Sequence, residues 1–344
     1  MAVKRPQNQR AKIDDVAREA GVSTATVSRV INASGTVSAT TQQRVHKAIR
    51  DLRFVAHGSA RGLAGSKTHT IGIVMSPPTT FFFAALIKGI SESIESAGYS
   101  LLMYSAVHTT SMIGGKPLPL GDHNTDGLIV FTNFLDDYSI QFMYEQNFPI
   151  VMLHRSAPEG LEIPTITFEN EKGAFEAVTH LIENGRRKIV YLKGPEGNED
   201  SRQREVGYKN ALQSAGIDVE ERLIRRGSFA TRPATRAIDD LIEEGVKFDA
   251  IFAGDDNAAI GALDSLKRHD FKTPNDIALV GFNDDYMSQY TNPTITTVKA
   301  PIYESGFRAG ENILKLIEGK PVPSNIHLDT ELIIRESSGG KTNG

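Results

Sequence analysis

At 344 residues, with 40% hydrophobic and 23% charged residues, the chain is too long for one ordinary domain and has the composition of a soluble globular protein able to bury a full core. It has no cysteine, which excludes a disulfide framework and a thiolate metal site. The formal net charge of −4 hides an asymmetry: residues 1–67 hold 12 Lys or Arg against 4 Asp or Glu, which leaves 26 against 38 for the remainder. A basic head precedes an acidic body, and such a head is attracted to the phosphates of a DNA duplex. The opening residues MAVKRPQNQRAK carry no apolar run, and no later segment has the length needed to span a bilayer, so a cytoplasmic location with no membrane partner is expected.

The first element with chemistry is Ile13 to Asn32. Ile13, Val16, Ala17 and Ala20 fall at i, i+3, i+4 and i+7, one apolar stripe of a helix, and Gly21 stands where a left-handed residue ends it. Ser23 is placed to cap a second helix, which turns Val27 and Val30 inward and leaves Thr24, Ala25, Ser28 and Arg29 on the free face. Side chains that short, or that cationic, can approach base edges and phosphates, which is the pattern of a DNA-reading helix-turn-helix. A third helix is expected from Ser38 to Leu52, capped by Ser38 or Thr40, with Val45, Ala48, Ile49 and Leu52 inward and Arg44, Lys47, Arg50 and Arg53 outward.

From about His69 short apolar runs alternate with helical segments, the pattern of βαβ units and parallel sheets. Strands are expected at 70–76, 100–105, 126–131 and 149–154, and in a second series at 188–194, 223–229, 250–256 and 277–284. Helices are expected near 170–184, 203–215, 232–244 and 257–268, and the late strands 294–300 and 326–335 return to one half or the other. The fold class is therefore α/β, with two similar halves behind a helical head and a joint near Pro164 to Asn170. The Gly- and Pro-rich stretch 106–125 interrupts the alternation where a crossover helix would stand. Gly114-Gly115-Lys116 is no phosphate loop, because the full spacing and the following Ser or Thr are absent.

These residues resemble the lac repressor family of bacterial transcription factors. The resemblance runs from about Lys12 to Arg335 and is carried by IDDVAREAGVSTATVSRVIN at the head, ARGL at 60–63, FFAALIKGI at 82–90, REVGY at 204–208, DDNAAIGA at 255–262, VGFND from 280 and TITTV from 294. It implies a helix-turn-helix headpiece, a hinge helix, a two-subdomain core like that of periplasmic binding proteins, a homodimer, and a palindromic double-stranded operator. The expected layout is a basic tail (1–11), a headpiece (12–54), a hinge (55–67), a core (68–335) and a disordered tail (336–344). Within the core, an N-subdomain of about 68–164 and 293–321 would join a C-subdomain of about 165–292 and 322–335, with crossings near 165, 292 and 322.

The resemblance further implies DNA contacts at Ser23, Thr24, Ala25, Thr26, Ser28, Arg29 and Asn32, and a minor-groove wedge at Leu63. Gly58 and Gly62 each disfavour helix by roughly 1 kcal/mol relative to Ala, which predicts a hinge that folds only on the operator. It places a small-molecule effector, a sugar or else a nucleobase or other metabolite, between the subdomains at the C-terminal ends of the strands. Mapped residue by residue, the effector set is Phe82, Phe83, His154, Asn198, Asp200, Arg204, Phe229, Asp255 and Asn283, with Asp256 and Asp284 as rivals of the last two and Phe81 as core filling. His154, Glu169 and Asn283 each replace an aspartate commoner in the family.

No cofactor or metal is called for. A sugar-modifying enzyme would need an acid-base or nucleophile constellation, and none is legible; a periplasmic sugar-binding protein would need a signal peptide and would lack residues 1–66.

Overall fold

The computed structural model describes residues 11–31, 35–54, 67–112 and 118–339. They form two compact units divided between Thr68 and His69.

The head contains α1 (Ile13–Ala20), α2 (Thr24–Ile31) and α3 (Ala39–Asp51). Gly21 ends α1 in the left-handed region at φ 63°. Ser23 Oγ accepts from the Thr26 backbone N–H at 3.2 Å, and Ser38 Oγ does the same for Thr41 at 3.3 Å, so the two helix starts are held by the serines rather than by Thr40. Val16, Ala17, Ala20, Val27, Val30, Val45 and Ala48 close one small core.

The body holds two six-stranded sheets. The first runs in the order β11-β5-β4-β3-β1-β2, all parallel, from β1 (Thr70–Met75), β2 (Ser100–Ser105), β3 (Gly127–Phe131), β4 (Ile150–Leu153), β5 (Thr165–Phe168) and β11 (Asn325–Leu328). The second runs β12-β10-β9-β8-β6-β7, from β6 (Ile189–Lys193), β7 (Ile224–Arg226), β8 (Ala250–Ala253), β9 (Ala278–Asn283), β10 (Thr296–Lys299) and β12 (Glu331–Ile333). Its one antiparallel pair is β10 with β12. The interior strands are buried on both faces, as near-continuous apolar runs such as Ile150–Leu153 require.

Helices cover both sheets: α4 (Phe81–Glu95), α5 (Asp137–Glu145), α6 (Asn170–Glu183), α7 (Glu199–Ser214), α8 (Thr231–Glu243), α9 (Asp256–Arg268) and α10 (Ile302–Ile317). α4 and α10 touch backbone to backbone: a Cβ on Gly89 would lie 2.1 Å from the Tyr303 carbonyl oxygen, and one on Gly306 2.2 Å from that of Leu86.

Three expectations about the body need correction. Thr165–Phe168, read as a joint, is a strand of the first sheet, so the first crossing falls after it. The strand at 296–299 belongs to the second sheet, which moves the second crossing from 292 to the Ala300–Pro301 step before α10. The single strand expected at 326–335 is two strands in different sheets, divided at Asp329–Thr330, so the third crossing lies there and not at 322.

The start of the expected disordered tail is ordered. Glu336–Ser338 forms a 3₁₀ turn whose Ser337 Oγ donates to the Leu279 carbonyl at 2.6 Å, while Glu336 accepts from Thr294 N–H at 2.8 Å. Both serines of the turn are buried, bonded to the beginnings of the interior strands β9 and β10 through Leu279 and Thr296. The basic tail to residue 10, Asn32, and the hinge segment 55–66 with Gly58, Gly62 and Leu63 lie outside the described residues.

Candidate DNA surface and ligand cleft

On the head, burial of Val27 and Val30 fixes the rotation of α2. Thr24, Ala25 and Arg29 are exposed on its other side, with Thr26 and Ser28 at the margin. The Thr26 hydroxyl lies 2.9 Å from Ser23 Oγ, so these two side chains serve the cap as well as the surface. Arg29 is the one long cationic group on this helix, and Arg44, Lys47 and Arg50 are exposed on α3.

In the body a cleft of about 990 Å³ opens between the sheets at the carboxyl ends of their parallel strands, the place where open α/β sheets bind ligands. Its walls come from Ser76, Thr132 and Asn133 after strands of the first sheet, and from Asn198, Ser228, Phe229, Asp255 and Asn283 on the second side. Eight of the nine residues singled out from sequence line it: Phe82, Phe83, Asn198, Asp200, Arg204, Phe229, Asp255 and Asn283.

His154 does not. It is fully buried behind the cleft, enclosed by the rings of Phe82, Phe131 and Phe168 with centroids 5.6, 5.2 and 4.5 Å away. Its Nδ1 lies 3.1 Å from Asp200 Oδ2, so His154 meets the site through a residue that lines it. Phe81 departs in the opposite direction: expected as core, it is half exposed and pairs with Tyr286 at 5.6 Å.

The floor of the cleft is a hydrogen-bonded chain. Arg204 Nε donates to Asn170 Oδ1 at 2.9 Å and Nη1 to the Gly254 carbonyl at 2.5 Å; Asn170 Nδ2 in turn donates to Asp200 Oδ1 at 2.9 Å. The guanidinium lies 3.7 Å from the centroid of Phe282. Glu199 and Glu205 pair with Arg202 and Lys209, and among the described residues neither forms an ion pair with Arg204. Burial by itself would push the Asp200 carboxyl up, but the His154 imidazole, the Arg204 guanidinium and the Asn170 amide hold it below the ordinary range.

Asp255 caps α9, its Oδ1 accepting from Ala258 N–H at 2.8 Å, and burial pushes its carboxyl up. The rivals face elsewhere. Asp256 accepts from Thr297 Oγ1 and from Asp285 N–H, each at 2.7 Å, and Asp284 pairs with Arg335 at 2.6 Å. Asn283 lines the cleft at φ 108°, and its Oδ1 is buried with no hydrogen-bond partner among the described residues.

Phe229 lies over Gly194 and Gly254, where Cβ atoms would come within 2.3 and 3.0 Å of its ring. Sequence reading missed these two glycines, and also Thr132, Asn133 and the Val107–Thr109 stretch that lines the first wall. The 106–125 segment therefore contributes to the cleft, with Leu118 and Leu120 buried and 113–117 outside the described residues. Ties across the cleft include Asn133 Nδ2 to the Gly197 carbonyl at 2.5 Å and Ser156 Oγ to Glu199 Oε1 at 2.7 Å.

Residues 12–56 match the family description "Bacterial regulatory proteins, lacI family", and residues 178–338 match "Periplasmic binding protein-like domain". The HTH-type transcriptional regulator GalR of Escherichia coli K12 is 32% identical over 328 residues, 95% of each chain. The chain belongs to the lacI family. The HTH-type transcriptional repressor CytR of the same organism is 33% identical over 335 residues, 96% of this chain and 97% of CytR. Among solved structures, the lac repressor dimer bound to operator and the anti-inducer ONPF superposes with a TM-score of 0.76 at 25% identity, covering 96% of this chain and 99% of that one. A transcriptional regulator CelR–cellobiose complex gives 0.69 at 28% identity, covering 95% of this chain and all of CelR.

Membership of this lacI family makes the chain a DNA-binding transcriptional regulator with a ligand-binding core, and not an enzyme. Among the described residues no helix is long and apolar enough to cross a membrane.

Proposed function

We propose that this chain is a homodimeric, cytoplasmic repressor of a carbohydrate-use operon, which reads a palindromic operator through α2 and releases it when a sugar enters the cleft. The observation that carries the reading is the composition of the cleft. Carboxylates at Asp200 and Asp255, the Arg204 fork, the Asn283 side chain and the Phe229 ring surround one space, the mix of hydroxyl-directed polar groups and a flat apolar face that a sugar ring requires. The cellobiose held by CelR supports the ligand class. The exposed Thr24, Ala25 and Arg29, with Ser23, Thr26, Ser28, Asn32 and the Leu63 wedge, form the proposed DNA-reading set.

A ligand shifts DNA binding only through unequal affinity for two core arrangements, and a cleft shared by two sheets supplies a site that differs between them. The test selects a duplex from a random-sequence pool with the full chain, screens sugars and nucleobases for a raised melting temperature, and titrates each hit against the duplex by fluorescence anisotropy. Release of operator at concentrations of a sugar that raise the melting temperature is expected. An operator affinity indifferent to every stabilising sugar would overturn the reading, and a nucleobase as the sole effective hit would replace the ligand class.

A further inference from the structure

We infer that the effector is an anionic carbohydrate, whose phosphate or carboxylate rests on an arginine ledge continuing the cleft along the edge of the second sheet. The inference rests on the cleft being the effector site. Arg226 and Ser228, at the end of β7, line the cleft and also a depression of about 380 Å³ beside it. Its other walls are Arg225, Arg232, Pro233, Arg236, Ala237 and Asp240, so four guanidinium groups and one carboxylate surround a single concavity.

Only Arg225 is neutralised, by Glu244 at 2.5 Å. Arg226, Arg232 and Arg236 are exposed and have no ion pair within 4 Å among the described residues. Arg226 spends its Nε on Ser228 Oγ at 3.2 Å, which leaves both of its Nη groups for another acceptor. The start of α8 in the same wall, with no side-chain cap, adds the positive end of a helix dipole.

Arg226, Arg232 and Arg236 share one concavity, and an anion placed between them would relieve their mutual repulsion and meet several guanidinium donors at once. That they stand on an otherwise acidic body, 26 Lys or Arg against 38 Asp or Glu beyond residue 67, makes chance accumulation a poor account. Arg226 and Ser228 belong to both walls, so the ledge adjoins the cleft on the side where Phe229 stands. Guanidinium forks bind phosphate and carboxylate oxygens in the same bidentate way, so a sugar phosphate and a uronate share the chemistry.

Calorimetric titration and thermal shift of the full-length protein test this, with glucose, cellobiose and galactose as neutral probes. Their 6-phosphates, glucuronate, galacturonate and digalacturonate serve as anionic probes, and inorganic phosphate as the bare anion. At least one anionic sugar is expected to bind about tenfold more tightly than its neutral counterpart, with an affinity that falls as salt rises. In an Arg232→Gln/Arg236→Gln variant that preference should shrink to about twofold while the neutral sugar binds as before. The phosphate and uronate arms separate the two sources, and inorganic phosphate binding as tightly as any sugar would reassign the ledge to a free anion and overturn the inference. A preference that survives the double substitution, or anionic probes that bind no better than neutral ones, also overturns it and leaves the cleft reading intact. If no probe, neutral or anionic, raises the melting temperature, both readings fall.

Discussion

Arg204 and Asn170 stand 34 residues apart in sequence and share a 2.9 Å hydrogen bond, from the arginine Nε to the amide oxygen. The bond fixes the plane of the guanidinium, whose Nη1 is held by the Gly254 carbonyl, and it passes through the Asn170 Nδ2 group to Asp200. Arg204 is thereby both a wall of the cleft and a fastener between α6, α7 and the end of β8.

Removing either partner should therefore cost stability as well as ligand affinity. Asn170→Ala strands the Arg204 Nε donor and one Asp200 oxygen in a buried site, a loss of about 1–3 kcal/mol for each unsatisfied group. Urea denaturation should show a lower midpoint with an unchanged slope, and sugar binding should weaken in the same variant. Arg204→Ala strands Asn170 and Gly254 likewise, so it should melt earlier while its operator affinity well below the melting temperature stays near that of the parent. A normal effector response in Arg204→Ala would remove Arg204 from the ligand site.

Gly194→Ala addresses Phe229 without touching a polar group. The new Cβ would lie 2.3–2.6 Å from the ring, which must swing aside, and a side-chain end is cheap to move compared with backbone. Effector affinity should drop by about tenfold, the loss of roughly 1.4 kcal/mol of ring contact, while the melting temperature changes little. Calorimetry on the two proteins measures both, and an unaltered affinity would show that the ring does not stack on the ligand.

Arg29→Ala should weaken operator binding by about 1–3 kcal/mol and relax the preference at one base position if the side chain reaches a guanine edge. Gel shifts on selected and scrambled duplexes distinguish this from phosphate contact, which would weaken both equally and lower the salt dependence.

The acidic group beneath the cleft predicts a pH effect. Burial, then the charge of Asp255, raises the Asp285 carboxyl from 3.8 to about 6, and burial raises Asp256 well above its ordinary value. A carboxyl whose pKa is higher folded than unfolded holds its proton more tightly in the folded state. The stability it contributes is complete below about pH 4 and is lost as pH climbs through the folded value near 6. Asp285→Asn, which keeps an oxygen for the Asn257 amide, should therefore raise the melting temperature relative to the parent at pH 7.5, with the gain shrinking toward pH 4.5. A gain that is constant across that range would mean the carboxyl does not titrate there.

Local patterning determined much of this protein. The stripe of Val16, Ala17 and Ala20, the serine caps and the inward Val27 and Val30 define the reading helix from residues within four positions of one another, and apolar runs such as Ile150–Leu153 announce buried strands. Residues that follow strand ends could likewise be assigned to the cleft, because a parallel α/β sheet places all its carboxyl ends on one side.

What local pattern does not encode is which long-range partner a segment finds. Thr165–Phe168 alternates polar and apolar residues over only four positions and becomes a strand because Ile150–Leu153 and Asn325–Leu328 pair with it on either side. Asp329–Thr330 divides an unbroken β-like run because the chain there passes from one sheet to the other. His154 follows a strand as the other ligand candidates do, yet three aromatic rings brought from β3, β5 and α4 seal it behind Asp200. Gly194 and Gly254 carry no side chain whose chemistry could be read, and only the folded chain lays the Phe229 ring across them. The ledge, too, exists only in three dimensions: α8 packs against β7, and that contact sets Arg232 and Arg236 beside Arg226 and turns scattered surface charges into one basic concavity.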